Sequence, residues 1–227
     1  MNKLVVSFVV LVCTIWGYGI TECHAKSTVV SSPDGAVTVT VGVKGHKPYY
    51  MVSYQDRVLV TPSHLGFLLD SGELGANTKM ATVNRSTQDE TWTQPWGECE
   101  TTRNNYNELT VNFREHTGRT MQVVFRVFND GFGFRYILPD YHQGKTFQVQ
   151  DELTEITLAH DAKAWSIPAN HTEYFEGIYT SDLLSKKDTV CTPLTIEYEK
   201  DLFLAIHEAA LEDYASMNLD RDRKSVV

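Results

Sequence analysis

Met121-Gln122-Val123-Val124-Phe125-Arg126-Val127-Phe128-Asn129-Asp130-Gly131-Phe132-Gly133-Phe134-Arg135-Tyr136 is the stretch that decides the fold class. Met121, Val123, Phe125 and Val127 recur every second residue, and Phe132, Phe134 and Tyr136 repeat the pattern. Successive side chains of a strand point to opposite faces, so a period of two buries one face. Asn129-Asp130-Gly131 supplies the residue types that a tight hairpin turn favours. The stretch therefore predicts two antiparallel strands joined by a short turn. Val124 and Phe128 make the second face of the first strand apolar too.

Working outward, the same period recurs. Leu109, Val111 and Phe113 alternate with polar residues, and Thr117-Gly118 offers a turn into Met121. Val37, Val39, Val41 and Val43 form another set behind Pro33-Asp34-Gly35, and Leu194, Ile196 and Tyr198 form a further one. Between Lys26 and Asp201 no segment sustains a helical period. Asp182 to Lys187 is expected to make a short helical turn. Glu208 to Met217 is expected to be helical, with Leu211, Tyr214 and Met217 at helical spacing. Roughly a dozen strands in one chain of this length predict an all-β sandwich or barrel.

The N-terminal residues 1–25 read as a signal peptide. Lys3 supplies positive charge, Leu4 to Trp16 an apolar run, and Cys23-His24-Ala25 a cleavage site after Ala25. The run is shorter than the roughly 20 residues that span a bilayer, so no membrane span is expected after cleavage. The expected location is the periplasm or the exterior. A net charge of -9 argues against nucleic acid as a partner. Cys99 and Cys191 remain after cleavage. An oxidising compartment permits their pairing, and their spacing leaves the matter open.

Familiar catalytic signatures fail one by one. His207-Glu208-Ala209-Ala210-Leu211 opens like a zinc-protease motif, but Leu211 stands where the second His is needed. Gly131-Phe132-Gly133 follows a hairpin turn and opens no helix. Asp220-Arg221-Asp222 lacks the glycine and the closing glutamate of a calcium loop. Trp165 to Tyr179 mixes aromatics with Asn170, His171, Glu173 and Glu176. That mixture suits sugar binding, with aromatic faces on ring faces and carboxylates on hydroxyls; equally, its aromatics would fill a sandwich core. Glu173 and Glu176 carry the chemistry of a general acid and base, at a spacing that is common in loops. Trp92, Pro95 and Trp96 are expected to pack in the core or at an edge. His207 reads as a hydrogen-bonded structural histidine. Glu208, delivered by the apolar run Leu202 to Ile206, is either a buried structural carboxylate or a ligand. A mutarotase-like reading would need His207 to converge with Glu173 or Glu176.

Several segments together resemble the N-terminal domain of glycoside hydrolase family 97. They are Ser32-Pro33-Asp34-Gly35, Arg126 to Tyr136, Trp165-Ser166-Ile167-Pro168-Ala169, Thr192-Pro193-Leu194-Thr195, and Ile206-His207-Glu208-Ala209-Ala210-Leu211 with Tyr214 and Met217-Asn218-Leu219. The likeness covers residues 26–219, and residues 220–227 fall outside the family's pattern. The resemblance implies an antiparallel β-super-sandwich of galactose mutarotase-like shape. It implies an exported α-glucosidase or α-galactosidase acting on α-linked glucosides or galactosides. It also implies a catalytic (β/α)8 barrel as the domain's partner, and a calcium ion in the active site to which Glu208 contributes a ligand. Such a barrel needs about 250 residues. Catalysis by this chain alone is therefore not expected, no catalytic residue is assigned, and the chain reads as truncated before the barrel. The alternative is a stand-alone periplasmic carbohydrate-binding module without hydrolase activity.

Overall fold

The structure, a computed structural model, describes residues 26–138, 147–169, 177–212 and 214–221. Residues 1–25, expected to be a signal peptide, the candidate pair Glu173 and Glu176, and residues 222–227 lie outside them. The described residues are strand almost throughout and contain no α-helix.

Four strands form the first sheet in sequential order: β1 (Ser27–Ser31), β2 (Val37–Lys44), β3 (Lys47–Tyr54) and β4 (Arg57–His64). Ser32-Pro33-Asp34-Gly35 closes the β1–β2 hairpin, because Ser27 to Ser31 already pairs with Thr38 to Gly42. The Ser32 hydroxyl donates to Asp34 Oδ1 at 2.6 Å, and the same oxygen accepts the Ala36 N–H at 2.9 Å. These bonds hold the Asp34 carboxyl below its ordinary range. The β2–β3 and β3–β4 turns are Gly45-His46 and Gln55-Asp56, all four with positive φ. That is the turn whose twist matches antiparallel strands. Its usual Asn-Gly signature is absent at both places, so the sequence gives these turns little announcement.

Next come β5 (Phe67–Leu69) and β6 (Gly72–Leu74). The second large sheet contains β7 (Thr78–Thr93), β8 (Thr101–Glu115), β9 (Thr120–Phe128) and β10 (Gly131–Ile137), in the order β10-β9-β8-β7. The alternation read from the sequence is the packing observed. Val39 and Val41 on β2, Leu109, Val111 and Phe113 on β8, and Val123, Phe125 and Val127 on β9 are all fully buried. The Tyr50 ring bridges the two sheets. It lies 6.3 Å from Phe125, 6.0 Å from Phe132 and 5.4 Å from Phe134, and its hydroxyl donates to the Glu155 carbonyl at 2.8 Å. On the second face of β9, Val124 is buried and Phe128 packs on Tyr106 at 5.2 Å.

The remaining strands are short: β11 (Val149–Glu152), β12 (Lys163–Ser166), β13 (Thr180–Leu183), β14 (Val190–Cys191), β15 (Leu194–Glu199), β16 (Leu202–Ile206) and β17 (Asn218–Leu219). β11 adds to the β5–β6 hairpin, β14 pairs with β17, and the others form a sheet ordered β13-β12-β15-β16. Leu194, Ile196 and Tyr198 are buried as their alternation predicts. The Tyr198 hydroxyl donates to the Val58 carbonyl at 3.2 Å, tying this sheet to the first. The fold is the expected all-β sandwich of antiparallel sheets.

The Asp182 to Lys187 segment makes the expected short turn, a single 3-10 turn at Leu184–Lys186. By contrast, Glu208 to Met217 is not helical: its described residues are coil and bends. Leu211 and Tyr214 are exposed, so the segment has no buried apolar stripe, and packing of such a stripe is what sustains a short helix. Of the tryptophans, one departs from expectation. The β8–β9 pairing ends at Asn107, whereas the β7–β8 pairing continues to Thr93 opposite Thr101. The distal hairpin is thus a two-stranded ribbon projecting past the sheet. Trp92, 45% exposed, lies on the edge strand β7, one of the two expected places, whereas Trp96, near the ribbon tip, is 80% exposed.

Candidate functional site

Glu208 lies two residues beyond β16, the edge strand of its sheet. Along β16 the side chains alternate. Leu202, Leu204 and Ile206 pack half-buried against the core, while Phe203 and Ala205 face out. Glu208 continues the inward set and is half-buried. His207 is exposed, with Nδ1 2.8 Å from the Glu208 carbonyl oxygen. The His-Glu pair therefore does not present both side chains to one ligand from one face.

Among the described residues the Glu208 carboxylate has no hydrogen-bond or ion-pair partner. Nor do the described residues contain a group of three or more His, Cys, Asp or Glu side chains able to hold a metal ion. Calcium takes six to eight oxygen ligands. The chemistry of Glu208 fits one such ligand, and the described residues around it do not complete a set.

A hydrogen-bonded chain follows the coil after Glu208. The Tyr214 hydroxyl donates to Glu152 Oε2 at 3.1 Å. Glu152 Oε1 accepts the Thr154 hydroxyl at 2.6 Å, and Thr154 Oγ1 lies 2.7 Å from the Tyr136 hydroxyl. The Tyr136 ring packs edge-on to Phe67 at 4.6 Å. Partial burial and the Glu152 carboxylate push the Tyr214 phenol up to about 12. Burial pushes the Tyr136 phenol well above its ordinary range. Sequence reading missed this chain. Glu152 and Tyr214 are 62 positions apart, and no local pattern relates them.

In the aromatic run, Trp165 faces outward from β12 with the Lys163 ammonium 4.2 Å from its ring centroid. Lys163 also reaches Glu197 at 3.6 Å on the neighbouring strand. Ile178 and Tyr179 are exposed. Core filling thus does not account for these three side chains. His171, Glu173 and Glu176 lie outside the described residues, and with them the proposed acid–base pair and the mutarotase-like convergence on His207. Lys187 is buried and donates to the Thr180 carbonyl at 2.9 Å and hydroxyl at 3.0 Å. Burial lowers its pKa from the usual lysine value. Cys99, near the ribbon tip, and Cys191, on β14, are free thiols.

With this geometry in view, the chain can be compared with known proteins. Residues 30–227 match the family described as glycosyl-hydrolase 97 N-terminal. The chain belongs to that family. A retaining alpha-galactosidase of Bacteroides thetaiotaomicron is 28% identical to it over 235 residues, covering 96% of this chain and 33% of the relative. A probable retaining alpha-galactosidase of Streptomyces bingchenggensis is 28% identical over 114 residues, covering 50% of this chain and 17% of the relative. Among solved structures, a glycoside hydrolase family 97 enzyme of Pseudoalteromonas sp. strain K8, in complex with acarbose, superposes with a TM-score of 0.82. It is 33% identical, with 86% of this chain and 30% of that one covered. This family 97 chain therefore spans 33% of the Bacteroides relative, 30% of the Pseudoalteromonas structure and 17% of the Streptomyces relative, and corresponds to the N-terminal part of the family's enzymes.

Proposed function

We propose that this chain serves as the N-terminal, carbohydrate-associated domain of an exported family 97 α-glycosidase. On this reading it lends Glu208 as a calcium ligand to an active site built mainly on a (β/α)8 barrel. The observation that carries the reading is Glu208, a half-buried residue just past the end of an edge strand, whose carboxylate has no partner among the described residues. A cation supplied from a second domain would give that carboxylate the partner it lacks. Bound calcium would supply Lewis-acid and electrostatic stabilisation at the active site. This chain's part is to present one hard oxygen from a fixed strand end. The relatives' names support α-galactosides as substrates, with α-glucosides as the other class the resemblance implies. The periplasm or the exterior is the corresponding location.

Calorimetric calcium titration of a full-length family 97 enzyme tests the reading. Replacing the glutamate aligned with Glu208 by glutamine should weaken calcium binding by about tenfold or more, since loss of even a residue that only orients a ligand costs about that much. Unchanged affinity would sink the assignment. The exposed Trp165, Ile178 and Tyr179 favour a second reading, a binding module that holds α-glycans without hydrolysing them. Titration of this chain with α-glucan and α-galactan oligosaccharides should then quench tryptophan fluorescence, and a flat response across them would exclude it.

A further inference from the structure

We infer that His207 is the positioning residue of Glu208, its ring fixing the backbone from which the carboxylate projects; the inference rests on the calcium-ligand reading for its functional meaning. The sheet lets go of the chain just before Glu208. The last pair of the β15–β16 ladder is Leu194 with Ile206. Pro193, just before β15, has no N–H with which to continue the ladder. His207, Glu208 and the bend at Ala209 follow outside any strand. Among the described residues, the hydrogen bond that engages the Glu208 backbone comes from the His207 ring, whose Nδ1 lies 2.8 Å from the carbonyl oxygen.

A carbonyl oxygen only accepts, so Nδ1 carries the proton, and in the neutral ring Nε2 keeps its lone pair. The bond closes a loop of atoms from the imidazole through the His207 Cα and the connecting peptide to the Glu208 carbonyl. The torsions inside that loop are ψ of His207 and φ and ψ of Glu208. The first two set where the Glu208 Cα–Cβ bond points relative to β16. A metal ligand needs that direction fixed, because a loosely held side chain loses affinity to the ordering that binding requires. The exposed imidazole and the half-buried glutamate lie on opposite faces. His207 therefore acts on Glu208 through the main chain and does not compete for the ion that the carboxylate would meet.

Asparagine and glutamine separate this role from bulk alone. An asparagine amide N–H stands where Nδ1 stands, whereas glutamine reaches toward the place of Nε2. The first arm uses this chain in calcium-free buffer. Long-range proton–nitrogen correlation of the neutral His207 ring should show the Nδ1–H tautomer, against the Nε2–H form that an unbonded imidazole favours. The Ala209 amide shares a peptide plane with the Glu208 carbonyl, so its NMR order parameter reads the bond directly. It should lie near the rigid value of about 0.85 in wild type and His207→Asn, and fall toward the flexible value of about 0.6 in His207→Ala and His207→Gln. The urea midpoint of each variant should stay near wild type, since the ring is exposed. An Nε2–H tautomer, or one order parameter shared by all four proteins, would overturn the inference. The second arm makes the same changes at the aligned histidine of a full-length family 97 enzyme and titrates calcium. Alanine and glutamine should weaken binding roughly two- to tenfold, the worth of one neutral hydrogen bond, and asparagine should retain it. Equal affinity in all four would overturn the positioning role. Failure of the first arm leaves Glu208 standing as a ligand, and failure of the Glu208 titration leaves the His207 bond standing as a local tie.

Discussion

Replacing Glu115 by alanine should be among the most damaging single changes in this domain. Its side chain is buried at the end of β8, and its carboxylate accepts three hydrogen bonds. The Gly75 N–H reaches Oε1 at 2.9 Å, the Thr117 hydroxyl reaches Oε2 at 3.0 Å, and Arg119 Nε reaches Oε2 at 2.6 Å. Alanine strands the buried Gly75 N–H and removes an acceptor from the exposed Thr117 hydroxyl and from Arg119. A buried donor left unmet costs about 1–3 kcal/mol. Removing one member of a buried ion pair costs about 3–5 kcal/mol. The lower end applies here, because the Arg119 side chain is 27% exposed and also donates to the Glu73 carbonyl. The expected loss is therefore about 3 kcal/mol rather than the sum of both terms. For a domain of this size that lowers Tm by roughly 6–12 °C. Glu115→Gln keeps an acceptor for Gly75 and should cost about half as much. Urea denaturation followed by circular dichroism, with a thermal melt alongside, reads both variants. A loss under about 1 kcal/mol for alanine, or equal losses for alanine and glutamine, would refute the reasoning.

Phe125→Ala empties a fully buried position ringed by Tyr50 and Phe134, and should cost about 3–5 kcal/mol in the same urea assay. Trp96→Ala should change stability by no more than about 0.5 kcal/mol, because the side chain stands in solvent, while iodide quenching of tryptophan emission should fall markedly. Tyr214 has a folded pKa of about 12 against an ordinary 10.0, so the protonated phenol is the form that folding favours. Its bond to Glu152 should be intact below pH 10 and lost as pH rises toward 12; an ultraviolet titration should show a late tyrosine step that Tyr214→Phe lacks.

The legible and illegible parts of this protein divide along physical lines. The β8, β9 and β15 cores were readable because burial follows a local rule: alternate residues share a face, so Leu109-Val111-Phe113 and Leu194-Ile196-Tyr198 announce an inner surface wherever the sheet lies. The hairpin at Asn129-Asp130-Gly131 was readable for the same reason. Trp96 misled because tryptophan normally signals burial, and only strand lengths in three dimensions reveal that β9 stops short of the ribbon. The coil after Glu208 misled because helical spacing is a necessary pattern, but it requires a surface to pack upon.

From the sequence alone came the strand content, the antiparallel alternation, the family resemblance and the identity of Glu208 as the residue to watch. Each depends on residue type and near-neighbour spacing, which chain order preserves. Tertiary structure alone decided that Glu208 leaves an edge strand half-buried, that His207 points away into solvent, and that Tyr214 meets Glu152 across 62 positions. Those outcomes depend on which strands pair and where each one ends. Pairing is a non-local choice among many compatible alternations, so no window of the sequence contains it.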